Sequence, residues 1–169
     1  RAASDVLMSR CLEVNVLPVF ANEPGLPTAS DYGRVTCDYE SARSSYSRVM
    51  VGLRGRHQAD NAAAAIEACE ALNELGFTIG REAIVRGLRE VNCPGRLQWI
   101  DSSPPMVLDG AHNPAGARAL REYLVEFWDG PITLVFGAMA DKDIDGMATA
   151  LFDLATTVVL TRVRDQRAA

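Results

Sequence analysis

Residues 94–113 read PGRLQWIDSSPPMVLDGAHN, with Pro114 next, and few backbones satisfy that order. Pro94-Gly95-Arg96 predicts a rigid turn. The apolar run after Pro105 predicts a strand over residues 106–109, ending in the acid Asp109. Gly110-Ala111-His112-Asn113 then opens into a helix. Asparagine is a favoured N-cap, and proline is a favoured first helical residue because its missing N–H would be orphaned there anyway. His112 is thereby predicted at a helix N-terminus, where free N–H groups and the helix dipole stabilise anions. An acid, an imidazole and a guanidinium at one strand-to-helix edge suit a phosphate-bearing substrate.

Downstream, residues 114–128 predict a helix, 132–136 a strand, 143–155 a helix and 157–161 a strand. With the strand at 106–109, this β-α-β-α-β order predicts an α/β fold with a parallel sheet and helices across its faces. Ligands of such sheets sit at the carboxyl ends of the strands. Those ends feed the loops 110–113, 137–142 and 162–167, all on one edge. Upstream, residues 2–15 have helical composition, 17–20 suggest a short strand, and 22–30 are rich in turn residues. Residues 32–39 and 46–53 read as strands. A helix over 59–75 presents Ala62, Ile66, Cys69 and Leu72 on one face, with Gly76 as its cap. A second helix is predicted over 81–91. The change of rhythm places a domain boundary near residues 94–103, giving units 1–93 and 94–169, each with the look of part of a larger domain.

The chain has 169 residues, 48% hydrophobic and 23% charged, as a globular core requires. No apolar run reaches the about 20 residues that span a bilayer, and no signal peptide is visible at the start of the sequence. Its four cysteines are scattered without metal-finger spacing, which predicts buried thiols rather than a metal site. A net charge of −5, without a basic aromatic stripe, argues against a nucleic-acid surface. Any anionic ligand must therefore be held by local groups. The single lysine, Lys142, precedes Asp143, so the chain carries no Gly-Lys-Ser/Thr phosphate loop.

Gly55-Arg56-His57-Gln58-Ala59-Asp60-Asn61-Ala62-Ala63, Pro94-Gly95-Arg96 and Leu108-Asp109-Gly110-Ala111-His112-Asn113-Pro114 stand in this order, followed by Val135-Phe136-Gly137-Ala138-Met139-Ala140-Asp141-Lys142-Asp143. Together they resemble the folylpolyglutamate synthase/dihydrofolate synthase family of Mur-type ATP-dependent amide ligases. The resemblance implies the rear part of a central ATPase domain over 1–93 and the front part of a Rossmann-like ligase domain over 94–169. It also implies an enzyme that uses ATP and Mg2+ to activate a folate or dihydropteroate carboxylate as an acyl phosphate, which L-glutamate then attacks. The metal ligands are expected outside this chain, and the whole enzyme is expected to be a cytoplasmic monomer, with no membrane or nucleic-acid partner.

The same resemblance implies that Asn61 reads the adenine, Arg96 holds the phosphates, Asp109 contacts the ribose, and His112 sits near the reacting phosphate or the incoming glutamate. His57 is expected to be structural, and Lys142 a solvated loop charge. Gln166 stands where the family pattern leads one to expect proline. Without a phosphate loop, the 169-residue chain alone is expected neither to hydrolyse ATP nor to elongate folate. The alternatives are a Mur ligase of cell-wall precursor synthesis and a non-catalytic binding module.

Overall fold

The computed structural model describes residues 3–162 and residue 164. The first helix, α1 (Ala3–Glu13), buries none of its side chains. Strands β1 (Thr28–Ser30), β2 (Arg34–Glu40) and β3 (Ser45–Arg54) form an antiparallel sheet in the order β1-β2-β3. The pleat of β2 alternates by residue: Val35, Cys37 and Tyr39 are buried, while Asp38 and Glu40 are exposed. Helix α2 (Gln58–Glu74) packs on that sheet through Ala59, Ala62, Ala63 and Ile66, a spacing that lines one helical face. Three of these are alanines, which let the helix approach the strands closely. Gly76, with φ +94°, follows the helix and returns its N–H to Asn73. Helix α3 (Arg81–Glu90) adds Ile84 to the same core, with Val85 and Leu88 packed at its edge.

Beyond Pro94, β4 (Gln98–Ile100) pairs antiparallel with β5 (Met106–Leu108). Helix α4 (Pro114–Phe127), strand β6 (Thr133–Phe136), helix α5 (Ile144–Leu151), a 3₁₀ turn over Phe152–Leu154 and strand β7 (Thr157–Leu160) follow. Strands β6 and β7 are parallel, in register from Thr133 with Thr157 to Phe136 with Leu160. Ala117 on α4 meets Met147, Ala150 and Leu151 on α5, and this contact forms a second core over Leu134 and Phe136. Arg121 reinforces it by donating to the Ala150 carbonyl at 2.9 Å and by pairing with Asp153.

Three expectations are corrected. Residues 17–20 form no strand: they pair with nothing, and Leu17 and Phe20 are exposed. A run of apolar residues becomes a strand only when a partner ladder takes its N–H and C=O groups. The strand at 106–109 is real, but its ladder is with β4, so the parallel ladder is confined to β6 and β7. A short hairpin loop closes at less entropic cost than a crossover through a helix. Of the cysteines, Cys37 alone is fully buried; Cys93 is exposed. Most of the loop at 162–167, including Gln166, lies outside the described residues.

Residues on either side of Pro94 meet along a polar and aromatic seam. Arg56 donates from Nε and Nη2 to the Glu126 carboxylate, and from Nη1 to the Pro27 carbonyl at 2.7 Å. The Tyr123 hydroxyl donates to the Tyr32 carbonyl at 2.8 Å, and the Tyr32 ring stacks on Trp99 with centroids 4.5 Å apart. Gly33, with φ +90°, lies against the rings of Tyr123 and Phe127, where a Cβ would come within 2.7 Å of Tyr123. The glycine therefore lets α4 dock on the β1–β2 turn.

Candidate functional site

Two loops build the site. Gly95 adopts φ +74° and Leu97 φ +42°, so the chain turns tightly and exposes Arg96 while burying Leu97. The turn is closed from within by Arg96 N–H donating to Cys93 O at 3.1 Å and Gly95 N–H donating to Gln98 Oε1 at 2.9 Å. The second loop follows β5. Asn113 caps α4, its side-chain oxygen accepting from Gly116 N–H at 2.8 Å, and Pro114 occupies the first helical turn. This is the capping chemistry that the Asn-Pro pair predicts.

Asp109 clasps the two loops together. One carboxylate oxygen accepts from Leu97 N–H at 2.9 Å and the other from Ala111 N–H at 2.8 Å. Gly110 N–H adds a bond to Gly95 O at 2.6 Å. The β5–α4 corner is thus bound to the Pro-Gly-Arg turn by two backbone donors, Leu97 N–H and Gly110 N–H, while Ala111 N–H fixes the Asp109 carboxylate within the corner. His112 turns its Nδ1 toward Gly110 O at 3.0 Å. A carbonyl only accepts, so Nδ1 carries a proton here, and Nε2 is the ring nitrogen left facing away from this contact.

Arg96, Asp109 and His112 share one cleft of about 310 Å³ at the N-terminus of α4, with His57 and Leu97 in its wall. Among the described residues, no ion pair or hydrogen bond occupies the Arg96 guanidinium, which leaves its planar fork open to an anion. His57 enters from the upstream side. Gly55 makes room for it at φ +96°: a Cβ there would sit 2.6 Å from His57 Cε1 and 2.8 Å from Leu97 Cδ1. Burial holds the His57 imidazole below its ordinary pKa; Asp109 pulls the value up and Arg96 pushes it down.

Asn61 does not line this cleft. It lies on the exposed face of the first turn of α2 and reaches the cleft wall indirectly. Its Nδ2 donates to Gln58 Oε1 at 2.9 Å, and Gln58 Nε2 stands 2.9 Å from His57 Nε2. The sequence gives Gln58 no role and His57 only a structural one, yet His57 lines the cleft and the buried Gln58 joins it to Asn61. Their position between the Gly55 turn and Asn61, inside one motif, was the available signal. Lys142 pairs with its neighbour Asp141 at 3.1 Å.

A second cavity, of about 400 Å³, lies away from these loops and is lined by Arg43, Tyr46, Glu70, Glu74 and Arg81. Its polar groups satisfy one another. Glu70 accepts from Tyr46 at 2.8 Å and from Ser41 at 2.5 Å, and Arg43 pairs with Glu74. This network ties the β2–β3 turn to α2.

Comparison with known proteins gives the site its context. Residues 95–169 match the Mur ligase, glutamate ligase domain family. The chain is 37% identical over 126 residues to the dihydrofolate synthase/folylpolyglutamate synthase of Mycobacterium tuberculosis, covering 73% of this chain and 26% of that protein. It is 34% identical over 142 residues to the Bacillus subtilis protein of the same name, covering 83% of this chain and 32% of that protein. The fold superposes with a TM-score of 0.87 and 29% identity on Mycobacterium tuberculosis folylpolyglutamate synthase complexed with ADP and AMPPCP, covering 98% of this chain and 38% of that one. The chain thus spans about a quarter to a third of the length of these curated relatives. Residues 95–169 thus belong to the Mur ligase, glutamate ligase domain family, and the chain's relatives are folylpolyglutamate synthase/dihydrofolate synthase enzymes.

Proposed function

We propose that this chain supplies one side of the nucleotide site of an ATP-dependent ligase that adds L-glutamate to folate or dihydropteroate. In this reading residues 1–93 belong to the central ATPase domain and 94–169 to the glutamate-ligase domain, and the nucleotide lies across their seam. The γ-phosphoryl group of ATP passes to a substrate carboxylate oxygen, its bond to the β–γ bridging oxygen breaks, and an acyl phosphate and ADP result. The glutamate amine attacks the acyl carbon: a C–N bond forms, the C–O bond to phosphate breaks, phosphate leaves, and the amine loses a proton.

The observation that carries this is the clasped cleft at the N-terminus of α4, which gathers Arg96, Asp109 and His112. Arg96 pairs with phosphate oxygens bidentately beside the positive end of the helix. Asp109 contacts the ribose while holding the two loops in register. His112, its Nδ1–H spent on Gly110 O, offers Nε2 to the reacting phosphate or to the proton released by the amine. Asn61 reads the adenine edge, for which an amide supplies both a donor and an acceptor.

Among the described residues no three His, Cys, Asp or Glu side chains gather to hold a metal ion. They do not fit a magnesium site, and no step assigned to them runs through the metal. No helix among them is long and apolar enough to cross a membrane. A monomeric cytoplasmic enzyme acting on small molecules, without membrane or nucleic acid, completes the reading.

Arg96→Ala in the complete enzyme tests it. Calorimetric titration with AMPPCP is expected to give roughly tenfold weaker binding, the loss of a charge-assisted contact, at an unchanged melting temperature. Wild-type affinity would sink the assignment.

A further inference from the structure

Gln58 is 1% exposed, one of the few polar side chains in the core. A buried amide is costly unless its donor and acceptor are both used, and here both are: Oε1 accepts from Asn61 Nδ2, and Nε2 meets His57 Nε2. It adjoins Ala59, a core residue of α2, so its placement is as tightly determined as that of the helix itself.

From this geometry we propose that Gln58 is a positioning residue for nucleobase recognition, locking the Asn61 amide in one orientation by anchoring it to His57 in the cleft wall. The inference rests on the reading of Asn61 as the adenine contact. The polarity of the chain follows from the orientations of its two amides. With Gln58 Oε1 receiving the Asn61 proton, Gln58 Nε2 must donate to His57 Nε2, so His57 carries its proton on Nδ1. Burial keeps this ring neutral near neutral pH, which leaves Nε2 free to accept.

Asn61 then retains one N–H and its whole carbonyl oxygen. That is the donor–acceptor pair complementary to adenine N7 and N6, whereas guanine presents two acceptors on the same edge. Turning the Gln58 amide over would require a proton on His57 Nε2 and would present the Asn61 carbonyl to Gln58 instead. The three side chains therefore switch together or not at all. An exposed asparagine acting alone would sample both orientations and give up part of its selectivity as ordering entropy.

The test compares Gln58→Met, Gln58→Glu and Asn61→Ala in the complete enzyme. AMPPCP and the matching guanine analogue are titrated by calorimetry, with melting temperature as the control for folding. Methionine keeps the volume but neither hydrogen bond. It is expected to weaken AMPPCP binding ~fivefold, about the worth of one hydrogen bond, with little effect on the guanine analogue. Glutamate still accepts from Asn61, while His57 changes tautomer to donate to it, so the preference for adenine is expected to survive. A merely structural role would move both nucleotides equally.

If Asn61→Ala weakens AMPPCP binding but folded Gln58→Met keeps the wild-type preference, the positioning role is overturned while the adenine contact stands. If Asn61→Ala binds AMPPCP as the wild type does, the adenine reading fails, and this inference with it. Should Gln58→Met not fold, Gln58→Glu decides: loss of the adenine preference in that variant overturns the proposal.

Discussion

Replacing Asp109 with asparagine changes one oxygen to an NH2 group and removes the charge, leaving size and shape almost intact. In the native corner both carboxylate oxygens are acceptors, for Leu97 N–H and Ala111 N–H. An asparagine satisfies only one of those donors and turns its own N–H groups toward the other. A hydrogen bond to an ionised acceptor contributes about 1.5–3 kcal/mol, and an orphaned buried donor costs about 1–3 kcal/mol. One lost bond, and one weakened to a neutral bond, place the destabilisation near ~2 kcal/mol. The bond from Gly110 N–H to Gly95 O remains, so the corner loosens rather than opens. Urea unfolding followed by circular dichroism reads the change as a lower midpoint at constant slope. Asp101→Asn, at an exposed position, serves as the control and is expected to stay within about 0.5 kcal/mol of wild type. A change that small for Asp109→Asn would refute the idea that this carboxylate holds the two loops of the cleft together.

Two further outcomes follow from the same packing. Gly55→Ala forces a Cβ to within 2.6 Å of His57 Cε1 and 2.8 Å of Leu97 Cδ1 at a φ of +96°; it is expected to cost about 2 kcal/mol in urea unfolding, and wild-type stability would show that the turn can yield. Tyr46→Phe tests the alkaline limb of stability. Burial, with the Glu70 carboxylate as hydrogen-bond partner, pushes the Tyr46 phenol up to about 12. The native state therefore keeps a proton that the unfolded chain releases near pH ~10, and stability falls as pH rises between those values. Phenylalanine is expected to lower stability by about 1 kcal/mol at neutral pH and to make the alkaline decline shallower. Tyr39, Tyr123 and Cys37, raised in the same direction mainly by burial, keep it from vanishing. An unchanged decline would contradict the Tyr46–Glu70 contact.

Much of this protein is legible from local chemistry. The Asn113-Pro114 start of α4 is dictated by capping and by a fixed φ, both properties of the residues themselves. The face of α2 that meets the sheet follows from the spacing of Ala62, Ile66 and Cys69, although Leu72, expected on the same face, is exposed; Gly76 ends that helix as its backbone freedom allows. The family resemblance implies that Asn61, Arg96, Asp109 and His112 serve one site; the structure gathers the last three into a single cleft and leaves Asn61 outside it. What stayed hidden depended on partners distant in sequence. Residues 17–20 have strand-like composition and no ladder to join, whereas β4, three residues long, exists because β5 lies beside it. The partner of β5 was likewise invisible, since period and composition carry no register. Asp109 gave no local sign that both its oxygens would bind backbone amides of separate loops. Glu67 and Glu70 carry no local sign of burial, yet their 6% and 4% exposures follow from placement against Arg43, Ser41 and Tyr46. Backbone propensity and short-range patterning act within a few residues and can be read in a line of letters. Pairing, burial and the linkage of Asn61 through Gln58 to His57 arise only when distant atoms compete for the same hydrogen bonds in three dimensions.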